Sequence, residues 1–112
     1  MTDGFINVLK PPGMTSHDVV SFVRRVLDTK KVGHAGTLDP GAAGVLPVAV
    51  GRATRLIEYL DAVDKSYRAE LLFGMATDSG DDLGEVRQRQ TEFVMPPLAE
   101  LQKAAAKLTG TI

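Results

Sequence analysis

The sequence predicts a mixed fold in which short strands and helices share one aliphatic core. Three observations carry that expectation. Val19, Val20, Val23, Val26 and Leu27 recur at helical spacing. From Lys65 to Gly74, Tyr67, Ala69, Leu71 and Phe73 alternate with Arg68, Glu70 and Leu72, the pattern of a half-buried strand. Between these stretches, Val32 to Pro47 holds Gly33, Gly36, Gly41, Gly44 and two prolines around a single acidic residue, Asp39. So many backbone punctuators predict a tight loop rather than a simple helix or strand. Pro40 biases Asp39 toward an extended backbone, so the loop presents one carboxylate in a fixed pose.

In chain order, Gly4 to Lys10 reads as a short, mostly buried strand that ends in the turn Pro11-Pro12-Gly13. Ser16 is placed to cap a helix from about His17 to Leu27. Arg24 and Arg25 lie beside its apolar stripe. After the loop, Val45 to Val50 reads as a buried strand. Pro47 lacks a ladder donor and so needs an edge or irregular position. Gly51 breaks this strand, and a short helix follows from about Ala53 to Leu60, with Leu56, Ile57 and Leu60 facing inward. The alternating stretch from Lys65 to Gly74 comes next, then a loop over 77–84 and a polar edge strand from Glu85 to Gln90. Pro96 and Pro97 open the last helix, striped by Leu98, Leu101, Ala105 and Leu108 and stopped by Gly110. The number of strands predicts that some sheet edge is left unprotected.

With 112 residues and 44% hydrophobic content, the chain suffices for one domain with a packed core. Cysteine is absent, which excludes disulfides and thiolate metal sites. The N-terminus lacks a basic n-region and an apolar h-region, and no apolar run is long enough to span a membrane, so a cytoplasmic protein is expected. Net charge is −1, yet the basic residues gather in the first two thirds and Asp78, Asp81, Asp82 and Glu85 follow them. A local basic face can meet phosphate while the total stays neutral. Lys10, Lys30, Lys31, Arg52 and Arg55 are the candidates, each with a solvated surface charge as the plainer reading. The acidic run fails the spacing of a calcium loop, because Gly84 falls too late after Asp78. The glycine-rich centre lacks the Gly-Lys-Ser/Thr ending of a nucleotide-binding loop.

The residues alone leave the chemistry open. Asp39 fits either a catalytic carboxylate or an aspartate capping its own turn. His34 fits either a ligand-contacting ring or a loop histidine bonded to nearby backbone. Tyr67 shares a strand face with Leu71 and Phe73 and reads equally as a core aromatic.

A resemblance narrows these alternatives. Gly33-His34-Ala35-Gly36-Thr37-Leu38-Asp39-Pro40, followed by Ala42, Gly44, Leu46-Pro47, Gly51 and Ala53-Thr54, resembles the signature of the TruB family of pseudouridine synthases. Lys10-Pro11-Pro12-Gly13-Met14-Thr15-Ser16 resembles that family's opening turn. Lys65-Ser66-Tyr67 and Gly74-Met75-Ala76-Thr77-Asp78 resemble two later motifs, with Asp81 and Gly84 in register. Ser79 stands where threonine is expected, and keeps the hydroxyl.

The resemblance implies an α+β fold, a mixed and mostly antiparallel sheet flanked by helices and incomplete in this chain. Residues 1–112 would be the N-terminal part of the catalytic domain, the remainder and a C-terminal RNA-binding region lying outside it. It implies an isomerase that converts uridine to pseudouridine in the TΨC loop of tRNA, at the position conventionally numbered 55. The short N-terminus and the Val-Gly-His form of the loop look bacterial. Asp39 matches the catalytic aspartate, His34 a histidine that contacts the RNA near the displaced base, and Tyr67 the tyrosine that stacks on the target uracil. The family's later part supplies an arginine that pairs with the aspartate. The reaction changes no redox state and spends no phosphate, so no cofactor and no metal are expected. The expected partner is the tRNA T-arm, with no membrane, no obligatory protein partner and a monomer at full length. The alternative is a non-catalytic RNA-binding module, or an inactive fragment that keeps the fold.

Overall fold

The computed structural model describes residues 2–111. The chain divides into two compact units, Met1–Tyr67 and Arg68–Ile112. Both are built from antiparallel strands with helices, giving the mixed fold that the sequence predicts.

In the first unit, β1 (Gly4–Lys10) pairs along its whole length with β3 (Gly44–Val50). β3 also pairs with β2 (Val32–His34), so the sheet order is β1-β3-β2 with β3 in the middle. A central strand needs apolar side chains on both faces. Leu46, Val48, Ala49 and Val50 supply them and are all buried. Leu46, Val48 and Val50 share one face by the two-residue period of a strand. They pack with Val32 against Val19, Val20 and Val23 of α1 (Ser16–Leu27). The opposite face is kept small at Gly33, where a Cβ would meet Ile57 Cδ1 at 2.8 Å.

Several expectations are corrected. β1 is mostly exposed rather than buried, because it is an edge strand and only Lys10 is fully enclosed. The cap of α1 is Thr15, not Ser16. Thr15 Oγ1 accepts the Asp18 N–H and the Asp18 carboxylate accepts the Thr15 N–H, both at 2.9 Å, a reciprocal capping box. Ser16 is thereby freed for another task. Val26 and Leu27 lie exposed beyond the part of α1 that covers the sheet. The stretch from Val32 to Pro47 is not all loop, since both its ends are strands.

Pro47 stands in the middle strand, contrary to an edge placement. Its carbonyl accepts the Ala35 N–H at 3.0 Å, and a strand residue's N–H points the same way as its C=O. The missing donor therefore faces the flank where β2 has stopped pairing, at His34.

Beyond Gly51 the chain first forms a 3₁₀ turn (Gly51–Leu56) and only then the single turn α2 (Ile57–Leu60). The Thr54 hydroxyl donates to the Gly51 carbonyl at 2.8 Å and occupies an acceptor of that first turn. Leu56 is exposed rather than inward.

The largest correction concerns Lys65 to Gly74. It forms no strand, and Tyr67, Leu71 and Leu72 lie exposed. Alternation prepares a segment for a ladder but does not supply the neighbour, and no described strand pairs with it. The division between the two units falls inside this stretch.

The second unit contains a hairpin of β4 (Met75–Thr77) and β5 (Val86–Arg89), with a bulge between Ala76 and Thr77. α3 (Leu98–Ala106) follows, with Pro97 at its cap. No residue of α3 is buried, so its apolar stripe is not a core face here. The helix also ends before Gly110.

Candidate functional site

Asp39 is exposed at the tip of the loop between β2 and β3. The backbone on both sides of it is tied down. Ahead of it, the Ser16 hydroxyl donates to the Leu38 carbonyl at 3.2 Å and accepts the Leu38 N–H at 3.0 Å. The Leu38 side chain packs against the core. Behind it, the Pro40 carbonyl accepts the Gly13 N–H at 2.7 Å. The Asp39 carbonyl itself accepts the Ala42 N–H at 2.9 Å and closes a turn. A carboxylate so mounted has a fixed backbone and a free, solvated head. No side-chain hydrogen bond or ion pair engages it among the described residues.

Lys10 also corrects the sequence reading. It was a candidate for phosphate contact, yet its exposure is 0%. Its Nζ donates to the carbonyls of Ala42 at 2.6 Å, Pro11 at 3.0 Å and Pro40 at 3.4 Å. An ammonium has three donors and no acceptor, so three carbonyls can satisfy it. Lys10 is opposite Gly44 in the β1–β3 register, on the face that carries Val8 and Leu46. A lysine continuing the Ile6, Val8 face of a strand was the signal that could have revealed this role.

His34 ends β2 opposite Val48, so its ring shares the face on which α1 packs. The residue is half-buried, and its Nδ1 is buried without a hydrogen-bond partner among the described residues. It is therefore not the loop histidine bonded to neighbouring backbone through that nitrogen. Tyr67 is 74% exposed, in the irregular chain after α2. The core-aromatic reading of Tyr67 is thus excluded within these residues. His34 and Asp39 lie on one continuous segment, whereas no hydrogen bond joins either of them to Tyr67.

The remaining basic candidates differ among themselves. Arg52 pairs with Asp3, Nε to Oδ2 at 3.0 Å, and its N–H also donates to Asp3 Oδ1 at 2.7 Å. Those bonds, the backbone one foremost, hold the Asp3 carboxyl below the usual carboxylate range. Lys30, Lys31 and Arg55 are not in ion pairs among the described residues.

In the acidic loop the carboxylates of Asp78 and Asp81 bond to the loop itself. Asp81 accepts the Ser79 hydroxyl at 2.6 Å and the Leu83 N–H at 2.9 Å, which lowers its pKa. Asp78 accepts the Glu85 N–H at 2.9 Å. No cluster of three potential metal ligands occurs among the described residues. No helix among them is long and apolar enough to cross a membrane.

Residues 24–112 match the family model described as the N-terminal domain of TruB family pseudouridylate synthase. A protein named tRNA pseudouridine synthase B from Symbiobacterium thermophilum is 71% identical over 84 residues, covering 75% of this chain and 28% of its own length. Proteins of the same name from Moorella thermoacetica and Carboxydothermus hydrogenoformans are 59% and 57% identical over 100% and 98% of this chain. The chain spans 36% and 38% of their lengths. A solved H/ACA ribonucleoprotein bound to a substrate RNA aligns with 51% of this chain and 18% of its own at 54% identity, with a TM-score of 0.49.

Proposed function

The chain belongs to the TruB family of pseudouridylate synthases, and from that premise we propose that it forms the N-terminal part of a catalytic domain that isomerises uridine to pseudouridine in RNA. The substrate we assign is the uridine of the tRNA TΨC loop at the position conventionally numbered 55. The name shared by the relatives supports tRNA as the substrate class. The location we propose is the cytoplasm. We assign no cofactor, no obligatory protein partner and a monomeric state at full length.

The observation that carries the reading is the exposed Asp39 carboxylate on a loop tethered at both neighbouring residues. The reaction breaks the bond from ribose C1′ to uracil N1, turns the base and joins C1′ to C5. A base inside a folded RNA loop must first leave its stack. Asp39 then acts on the extruded nucleotide, as a nucleophile toward sugar or base or as a base removing a sugar proton. The half-buried His34 ring braces the RNA beside the displaced base. The exposed Tyr67 ring stacks on the uracil, a contact that holds a base without reading its sequence.

The test uses T-loop RNA tritiated at uracil C5, because the new carbon–carbon bond expels that hydrogen. It is run on a protein carrying these residues at the length of the matched relatives. Label release is expected from that protein and not from its Asp39→Asn variant. Retained release in the variant removes Asp39 from its role.

A second reading applies to the 112 residues by themselves. Asp39 has no cationic partner among the described residues, and this favours a chain that binds RNA without turnover. Clear label release by the 112-residue chain refutes it.

A further inference from the structure

Ser16 lies at the first position of α1 and is 4% exposed, yet it does not cap that helix. Thr15 and Asp18 do so reciprocally. The Ser16 hydroxyl is spent instead on a residue far along the chain. It accepts the Leu38 N–H and donates to the Leu38 carbonyl, at 3.0 and 3.2 Å. Leu38 lies in neither helix nor strand, so its two main-chain groups have no ladder partners. One hydroxyl satisfies both, which requires a group that donates and accepts from a single atom. The Leu38 side chain is meanwhile held against the core. The next residue is Asp39.

Resting on the reading of Asp39 given above, we propose that Ser16 is a positioning residue for the reaction: its hydroxyl clasps Leu38 and so sets where the Asp39 carboxylate stands. The capping box divides the labour. Thr15 and Asp18 stabilise the helix end, and this leaves the adjacent hydroxyl for the loop. The clasp fixes the peptide directly before Asp39, whereas Gly13 and Lys10 hold the Pro40 carbonyl after it. Loss of the clasp leaves a freer Asp39 on an otherwise intact scaffold. A displacement of about 1 Å can cost on the order of 100-fold in rate.

The test compares Ser16→Ala and Ser16→Thr in the protein of the relatives' length. In Ser16→Ala, kcat for label release is expected to fall roughly 10- to 100-fold while KM for the RNA changes less than about twofold. Ser16→Thr keeps the hydroxyl and is expected to recover most of that kcat. Amide hydrogen exchange supplies a readout independent of the reaction. The Leu38 amide is expected to lose protection in Ser16→Ala while the α1 amides keep theirs. Unchanged kcat in Ser16→Ala overturns the proposal. So does a loss shared equally by KM and kcat, or protection lost throughout α1 together with Leu38. If the unsubstituted protein releases no label, the assigned activity fails, and unchanged Leu38 protection in Ser16→Ala would separately refute the clasp.

Discussion

Lys10 Nζ donates to the Ala42 carbonyl across 2.6 Å from a side chain with no exposure to solvent. The last residue of β1 thus holds the far side of the loop that carries Asp39. The charge is used to gather carbonyls, and the neighbouring turn at Gly13 adds its N–H to one of them.

Replacing Lys10 by methionine keeps most of the volume and removes all three donors. The carbonyls of Pro11 and Ala42 then lose that partner, whereas the Pro40 carbonyl keeps the Gly13 N–H. Destabilisation of about 2 kcal/mol is expected, the worth of hydrogen bonds from a charged donor to part-buried carbonyls. Urea denaturation measures it as a lowered midpoint with an unchanged slope. An unchanged midpoint would mean that water replaces the ammonium without loss.

Tyr67 makes a different prediction because it is exposed. Tyr67→Leu is expected to leave stability within about 0.5 kcal/mol, as for surface substitutions generally. RNA binding or turnover should weaken by about 1–3 kcal/mol, the worth of one stacked base. Thermal melting and label release together decide it. Lower stability with unchanged turnover would make the ring a structural aromatic.

The capping box predicts a pH dependence. The Thr15 N–H, then the Thr15 hydroxyl, hold the pKa of Asp18 in the folded chain below the usual aspartate value. A depressed folded pKa contributes stability above the unfolded pKa, and that contribution is lost as pH falls through the folded value. The loss therefore begins near pH 4 and grows below it. Asp18→Asn should flatten this part of a denaturation series between pH 6 and pH 2. An unaltered acid limb would show that other carboxylates set it.

Two glycines with similar backbones separate conformation from crowding. Gly36 and Gly51 have φ of +69° and +65°. A Cβ at Gly36 enters open space, whereas at Gly51 it would collide with the Asp3 carboxylate and the Thr2 carbonyl. Gly36→Ala is expected to cost about 1–2 kcal/mol from the left-handed backbone alone. Gly51→Ala should cost more, because it also displaces the Asp3–Arg52 pair. Equal losses in denaturant titrations would show that the Asp3 segment yields freely.

The helical stripe of α1, the turn after Lys10 and the breaker at Gly51 were legible because each depends on residues a few positions apart. The apolar run at 45–50 was legible for the same reason. Lys65 to Gly74 was misread because alternation states only that a segment could pair. Ser16 was misread because Thr15 and Ser16 both suit a cap, and local preference cannot choose between adjacent hydroxyls. Lys10 was misread because a lysine is usually solvated, and the carbonyls that claim it arrive from Pro40 and Ala42, about thirty residues later.

By itself the sequence determined the family motifs, the loop around Asp39 and the valine stripe, all set by residue type and short spacing. Tertiary structure alone decided that Lys10 is enclosed, that Ser16 holds Leu38, that Asp39 stands exposed and that Tyr67 lies outside any strand. A buried polar group takes whatever partner the folded chain brings within hydrogen-bond reach, and that partner is chosen by the packing of distant segments.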